Sequence, residues 1–181
     1  MKNTGIVRRI DELGRIVIPK EIRGTLRLHV GTQMEIYTNT NGEIILKKHS
    51  AITDIYAIAE SFCQALVGSV ANSNILICDT STVVAATNGA KKDYVNKPLT
   101  KDIESFIMGR KSYILNTNQK LTTYPIFEGD KSTYTGQIIV PIVASSDVVG
   151  AVVYISEKED FSTTDVKMAN IVATLLAASL E

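Results

Sequence analysis

Four arginines near the start of the chain, Arg8, Arg9, Arg15 and Arg23, are the residues best equipped for chemistry. Each guanidinium is a planar, permanently charged fork of N–H donors that matches phosphate oxygens and guanine edges. Contacts to phosphate give affinity and register, whereas contacts to base edges give sequence preference. The sequence carries no nucleophile elbow, Gly-rich phosphate loop, paired-histidine zinc helix or Cys-x-x-Cys pair. No catalytic residue, metal ligand or cofactor is therefore assigned, and an enzyme is not expected. The two histidines, His29 and His49, have no evident partner and are read as surface residues. Cys63 and Cys78 are read as small buried hydrophobes, because two thiols make no disulfide framework.

The arginines must be positioned by residues 5–23, GIVRRIDELGRIVIPKEIR. Two short apolar runs, Gly5–Ile10 and Arg15–Ile18, flank the turn-like Asp11-Glu12-Leu13-Gly14 and are expected to be strands. Gly14 supplies the positive φ that a tight hairpin needs. Pro19 stops the second strand and presets φ for a helix over Lys20–Leu26. Ile6, Arg8 and Ile10 share one strand face, and Val7 and Arg9 the other. Apolar groups on both faces predict a strand covered on both sides with its arginines at a rim. A fifty-residue unit does not easily cover both faces alone, so a second copy of the chain is the natural partner. Two further strands, Gln33–Thr38 and Glu43–Lys48, are joined at Asn41-Gly42, a strong hairpin signal.

This segment, with the signature LGRIVIPKEIR followed by EIYTNTNGEIILKKH, resembles the swapped-hairpin DNA-binding domain of the AbrB family of bacterial transition-state regulators. The resemblance implies a dimeric β-barrel head with Arg8, Arg9, Arg15 and Arg23 as its contacts to double-stranded DNA. The alternative is that Arg9 or Arg23 pairs with Asp11, Glu12 or Glu21 and serves the fold. Gly24 departs from the family, whose members often carry a second basic residue there, which puts one phosphate contact in question. The full chain resembles the sporulation regulators of that family, which implies control of gene expression during spore formation, as activator or repressor.

Charge is divided in the same way. Residues 1–50 hold nine basic and five acidic groups, and the remaining residues hold ten basic and fourteen acidic ones, so a net charge of zero conceals a head of +4 and a body of −4. A basic head on an acidic body is what a nucleic-acid footprint produces. No apolar run is long enough to cross a bilayer, and the first residues lack the apolar core of a signal peptide, so a cytoplasmic protein without a membrane partner is expected.

The head is expected over residues 1–50 and a body over residues 51–181. The junction 47–53, KKHSAIT, has neither Gly nor Pro and is not read as a flexible tether. Ser50 or Thr53 can cap a first helix whose apolar stripe is Ile52, Ile55, Tyr56, Ala59, Phe62, Cys63 and Leu66. Strands are expected at Asn74–Asp79, Val83–Thr87, Ser112–Leu115, Leu121–Phe127, Gly136–Ala144 and Val148–Ser156, with a helix at Lys101–Gly109. Ser162 and Asp165 form a partial capping box for a last helix, Thr163–Leu180, which is apolar nearly all round and must be buried on most sides.

Helix, antiparallel sheet and helix in this order resemble a GAF domain, and the run from Pro141 to Leu180 is similar to the usual GAF ending. The expected class is α+β, a swapped-hairpin head followed by a GAF-like body of antiparallel sheet flanked by helices. By fold analogy, Asn88, Asp93, Tyr94 and Tyr124 are candidates to line a pocket for an unknown small-molecule ligand. The two long helices can pair chains a second time, and two different self-complementary contacts make a homotetramer. The competing expectation is a protein-binding antitoxin module, since the same head occurs in antitoxins. The patterned body of some 130 residues, in place of a short extended tail, speaks against it.

Overall fold

The computed structural model describes residues 4–181 except 69, 71 and 88. Two compact units divide the chain, Met1–His49 and Ser50–Glu181.

In the head, Asp11 organises the first turn. Its Oδ1 accepts from Leu13 N at 3.0 Å and Arg15 N at 2.8 Å, while Gly14 N donates to the Asp11 carbonyl at 2.9 Å. Gly14 sits at φ +74°. The flanking runs expected to be strands form no β-ladder in the single chain. Pairing stops at Asp11 N to Arg15 O, 3.0 Å, because two arms with apolar groups on both faces have nothing in their own unit to cover them. Helix α1, Lys20–Thr25, follows Pro19. It is closed by Leu28 N to Arg23 O, 2.8 Å, with Arg27 in the left-handed region at φ +52°.

Strands β1, Met34–Thr38, and β2, Ile44–Lys48, pair antiparallel with Met34 opposite Lys48 and Thr38 opposite Ile44. That register puts Met34, Ile36, Ile44 and Leu46 on one face and Glu35, Tyr37, Ile45 and Lys47 on the other. The apolar face is uncovered: Ile36 is 70% exposed and Ile44 63%. Among the described residues of the head, none is buried.

The body has an interior. Helices α2, Ala51–Asp54, and α3, Tyr56–Ala65, are the expected first helix interrupted at Ile55. The sheet strands are β3, Ser73–Asp79; β4, Val83–Ala86; β5, Tyr113–Asn116; β6, Gly136–Ala144; and β7, Asp147–Ser156. They run antiparallel in the order β4-β3-β7-β6-β5. Ser145 and Ser146, both at positive φ, make the two-residue turn between β6 and β7. Helices α4, Lys91–Tyr94, and α5, Lys101–Met108, lie between β4 and β5 in the chain, and α6, Thr163–Ala178, closes it.

Both sheet faces are buried. One carries Ile75, Ile77, Ile138, Val140, Val152 and Tyr154 against Ile52, Ala59 and Cys63 of the first helices and Ala169, Val172 and Leu176 of α6. The other carries Leu76, Cys78, Ile139, Ala151 and Val153 against Tyr94, Leu99, Ile103, Ile107, Ile126 and Tyr134. The last helix starts on a full capping box: Ser162 N donates to Asp165 Oδ2 at 2.7 Å, and Asp165 N donates back to Ser162 Oγ at 3.4 Å.

Residues 121–127, expected to be a strand, are irregular. Their backbone is satisfied by a side chain instead. Gln137, fully buried, accepts from Tyr124 N at 2.6 Å and donates to Tyr124 O at 2.5 Å. One carboxamide thus does the work of a ladder rung. No described helix is long and apolar enough to cross a membrane.

Candidate nucleic-acid interface and ligand pocket

Arg8, Arg9, Arg15 and Arg23 are all exposed. Arg8 and Arg9 belong to the first arm, Arg15 opens the second, and Arg23 lies in the last turn of α1. Arg8 Nη1 donates to the neighbouring Val7 carbonyl at 2.9 Å. Arg15 Nε donates to Asp11 Oδ2 at 2.8 Å, and its side chain is still 69% exposed. Hydrogen bonds from the Arg15 backbone and then its side chain hold the Asp11 carboxyl below its usual range. The internal pair is therefore made by Arg15, rather than by Arg9 or Arg23, neither of which forms an ion pair among the described residues. One guanidinium edge goes to the turn, and the outward edge remains available to an anion.

The polar face of β1 and β2 corrects the reading of His49 as partnerless. His49 Nδ1 lies 2.8 Å from Glu35 Oε1 and its side chain is 27% exposed. Tyr37 donates its hydroxyl to Glu35 Oε2, and Lys47 sits 4.7 Å above the Tyr37 ring. The signal for this cluster was the Asn41-Gly42 turn, whose register brings His49 N to Gln33 O at 3.0 Å. His29 is exposed.

In the body, a pocket of about 220 Å³ is lined by Asn72, Asn74, Tyr94, Tyr134, Ile155, Glu157 and Lys158. Tyr94 and Tyr134 are both buried, with their hydroxyls 2.8 Å apart. Tyr134 donates to Asp130 Oδ2 at 2.6 Å. Burial is the main reason both phenols are pushed up from their usual range. Of the other candidates, Asp93 is exposed on α4, and Tyr124 packs on Phe106 with ring centroids 5.3 Å apart. Asn88 lies outside the described residues. Asn72, Asn74, Tyr134 and Lys158 were not legible as pocket residues, because they meet only when the two ends of β3 and β7 are brought together.

Among the described residues, no group of three or more His, Cys, Asp or Glu side chains could hold a metal. Burial pushes the Cys63 thiol up to about 12 and Cys78 well above its usual range, so both are poor nucleophiles.

Residues 54–181 match the family described as stage V sporulation protein T C-terminal, transcription factor. Across its whole length the chain is 39% identical to stage V sporulation protein T of Bacillus subtilis strain 168, covering 99% of that protein. The chain belongs to the stage V sporulation protein T family. It is a transcription regulator of sporulation and not an enzyme. Family membership covers the head as well. Transition state regulatory protein AbrB of the same organism is 39% identical over 85 residues, 47% of this chain and 78% of AbrB. Residues 7–54 also match the family described as MazE, a bacterial antitoxin.

Solved structures bear on the fold of the body. The GAF domain region of a membrane protein from Geobacter sulfurreducens superposes with a TM-score of 0.53 at 11% identity, over 72% of this chain and 95% of that one. The cyanobacteriochrome receptor PixJ gives 0.53 at 14% identity, over 73% and 98%. A free methionine-R-sulfoxide reductase from Thermoplasma acidophilum gives 0.52 at 13%, over 71% and 94%. A photoreceptor and a reductase on one scaffold establish the GAF fold and nothing of its ligand.

Proposed function

We propose that the chain regulates transcription as a homo-oligomer, with residues 1–50 as a DNA-binding head and residues 51–181 as an assembling and sensing body. One observation carries this reading. The described head has no buried residue, yet it exposes twelve large apolar side chains, from Ile6 and Val7 through Ile36, Ile44 and Leu46. So much uncovered apolar surface in under fifty residues is an interface awaiting its partner. A second copy of the same head is the partner that resemblance to AbrB supports, its arms exchanged with these. Doubling the head doubles Arg8, Arg9, Arg15 and Arg23, which form a basic face for double-stranded DNA. The protein works in the cytoplasm on DNA.

A second contact is available in the body. Tyr56, Ile58, Ile171 and Leu175, on α3 and α6, are exposed although both helices also pack on the sheet. Two separate isologous contacts make a tetramer. The pocket at Tyr94 is where a small molecule would act, by favouring one arrangement of the assembly over another.

Light scattering of the full chain, together with anisotropy on a labelled duplex over a salt series, tests the reading. A tetramer whose affinity falls by about 0.9 log units per log unit of salt for each phosphate contacted is expected. A monomer, or no binding at low salt, overturns it. The antitoxin match to residues 7–54 favours a second reading, a module that binds a toxin. Under that reading the purified protein brings down a stoichiometric small partner and does not retain duplex.

A further inference from the structure

The pocket was assigned above only as a place for some small molecule. Its hydrogen bonding says what kind. Asp130 has a carboxylate, which cannot donate, so the single Tyr134 proton is committed to it at 2.6 Å. In the 2.8 Å contact between the two phenols, Tyr94 must then be the donor. Both phenolic protons are spent. What the buried tyrosines have left is oxygen lone pairs, so they can only accept.

The other polar groups divide unevenly. Asn72 spends one of its two amide N–H groups on Glu159 Oε1 at 2.7 Å, which leaves its carbonyl oxygen and one N–H. Glu157 offers a carboxylate. Asn74 Oδ1 accepts from the Thr87 hydroxyl at 3.1 Å, which leaves both of its N–H groups and one lone pair, and Lys158 carries an ammonium. Tyr94, Tyr134 and Glu157 can only accept, Lys158 can only donate, and the two asparagines can do either. A complementary ligand is rich in N–H, positively charged at one end and anionic at the other. At about 220 Å³ the space is smaller than the ~300–1,000 Å³ usual for drug-sized ligands, so the molecule is small.

We propose that the pocket binds a small zwitterion, with a primary ammonium held by Tyr94, Tyr134, Asn72 and Glu157 and a carboxylate held by Asn74 and Lys158. This rests on the reading of the pocket as a ligand site. An uncharged hydroxyl in place of the ammonium loses two donors and the charge.

The test uses the full chain and calorimetry with L-alanine, L-serine, L-glutamine and L-lysine, each paired with the 2-hydroxy acid of the same skeleton. At least one amino acid is expected to bind, and its hydroxy acid at least tenfold more weakly. Tyr94→Phe and, as a surface change that spares the fold, Lys158→Met should each weaken binding about tenfold, while Lys92→Ala leaves it unchanged. A hydroxy acid that binds as well as its amino acid overturns the ammonium assignment and leaves the pocket standing. Binding indifferent to both Tyr94→Phe and Lys158→Met overturns the pocket itself. Binding of none of the amino acids overturns the zwitterion.

Discussion

Asp11 holds Arg15 twice, through the Arg15 amide at 2.8 Å and through the guanidinium Nε at 2.8 Å. One carboxylate thus shapes the turn and aims the side chain at its tip. Replacing Arg15 by Ala removes a cation, so affinity for duplex should fall across all sequences and the salt dependence should flatten by about 0.9 in slope per chain contact. Asp11→Asn keeps the turn acceptor but weakens the pair. It should cost less affinity and leave the slope unchanged. Anisotropy titrations of both variants over a salt series separate the two roles.

Glu35 makes acid stability a local question. The Tyr37 hydroxyl first, and then the His49 ring, hold its carboxyl below the ordinary 4.5. A folded-state value that is depressed stabilises the fold above the unfolded value and loses that contribution as pH falls through the folded one. The advantage of the parent over Glu35→Gln in denaturant melts should therefore be constant at neutral pH and shrink below pH 4.5. An advantage that persists unchanged into acid would mean that shape, not charge, makes the contact.

Asn116 clamps the start of the last helix to the sheet edge. Its Nδ2 donates to Phe161 O at 2.9 Å, and its Oδ1 accepts from Phe161 N at 3.1 Å, with the side chain 2% exposed. Truncation to Ala strands both backbone groups of Phe161 and should cost about 2–4 kcal/mol. Urea melts of the full chain, followed by a body-specific probe, measure it.

Gly150 admits no side chain. A Cβ there would stand 2.1 Å from the Cys78 carbonyl oxygen and 3.0 Å from Ile52. The first of these is backbone in the paired strand, which cannot swing aside. Gly150→Ala should destabilise the body by about 3 kcal/mol or more, beyond ordinary overpacking, as read from the same melts.

Much of the body was legible because its signals are local. Ser162 and Asp165 announce α6 three residues apart, and the long apolar runs 136–144 and 148–156 around Ser145-Ser146-Asp147 draw the central hairpin. Residues 121–127 misled because their apolar content is that of a strand, while the partner that satisfies them is a side chain thirteen residues away, Gln137. Helix α4 has only four residues, too few for a period to show. In the head, the basic residues and the Asn-Gly turn can be read along the chain, but Glu35 and His49 meet only across a ladder. The pocket was least legible of all. Its polar groups come from strand ends far apart in sequence, and the direction of the Tyr94–Tyr134 bond depends on a third residue, Asp130.

If the head takes its missing interior from a second copy, as proposed above, that exchange obeys mass action. The head's melting temperature should climb with the logarithm of protein concentration. Occupancy of an operator should then rise more steeply than the first power of copy number, so a modest change in synthesis rate becomes a sharper change at the promoter.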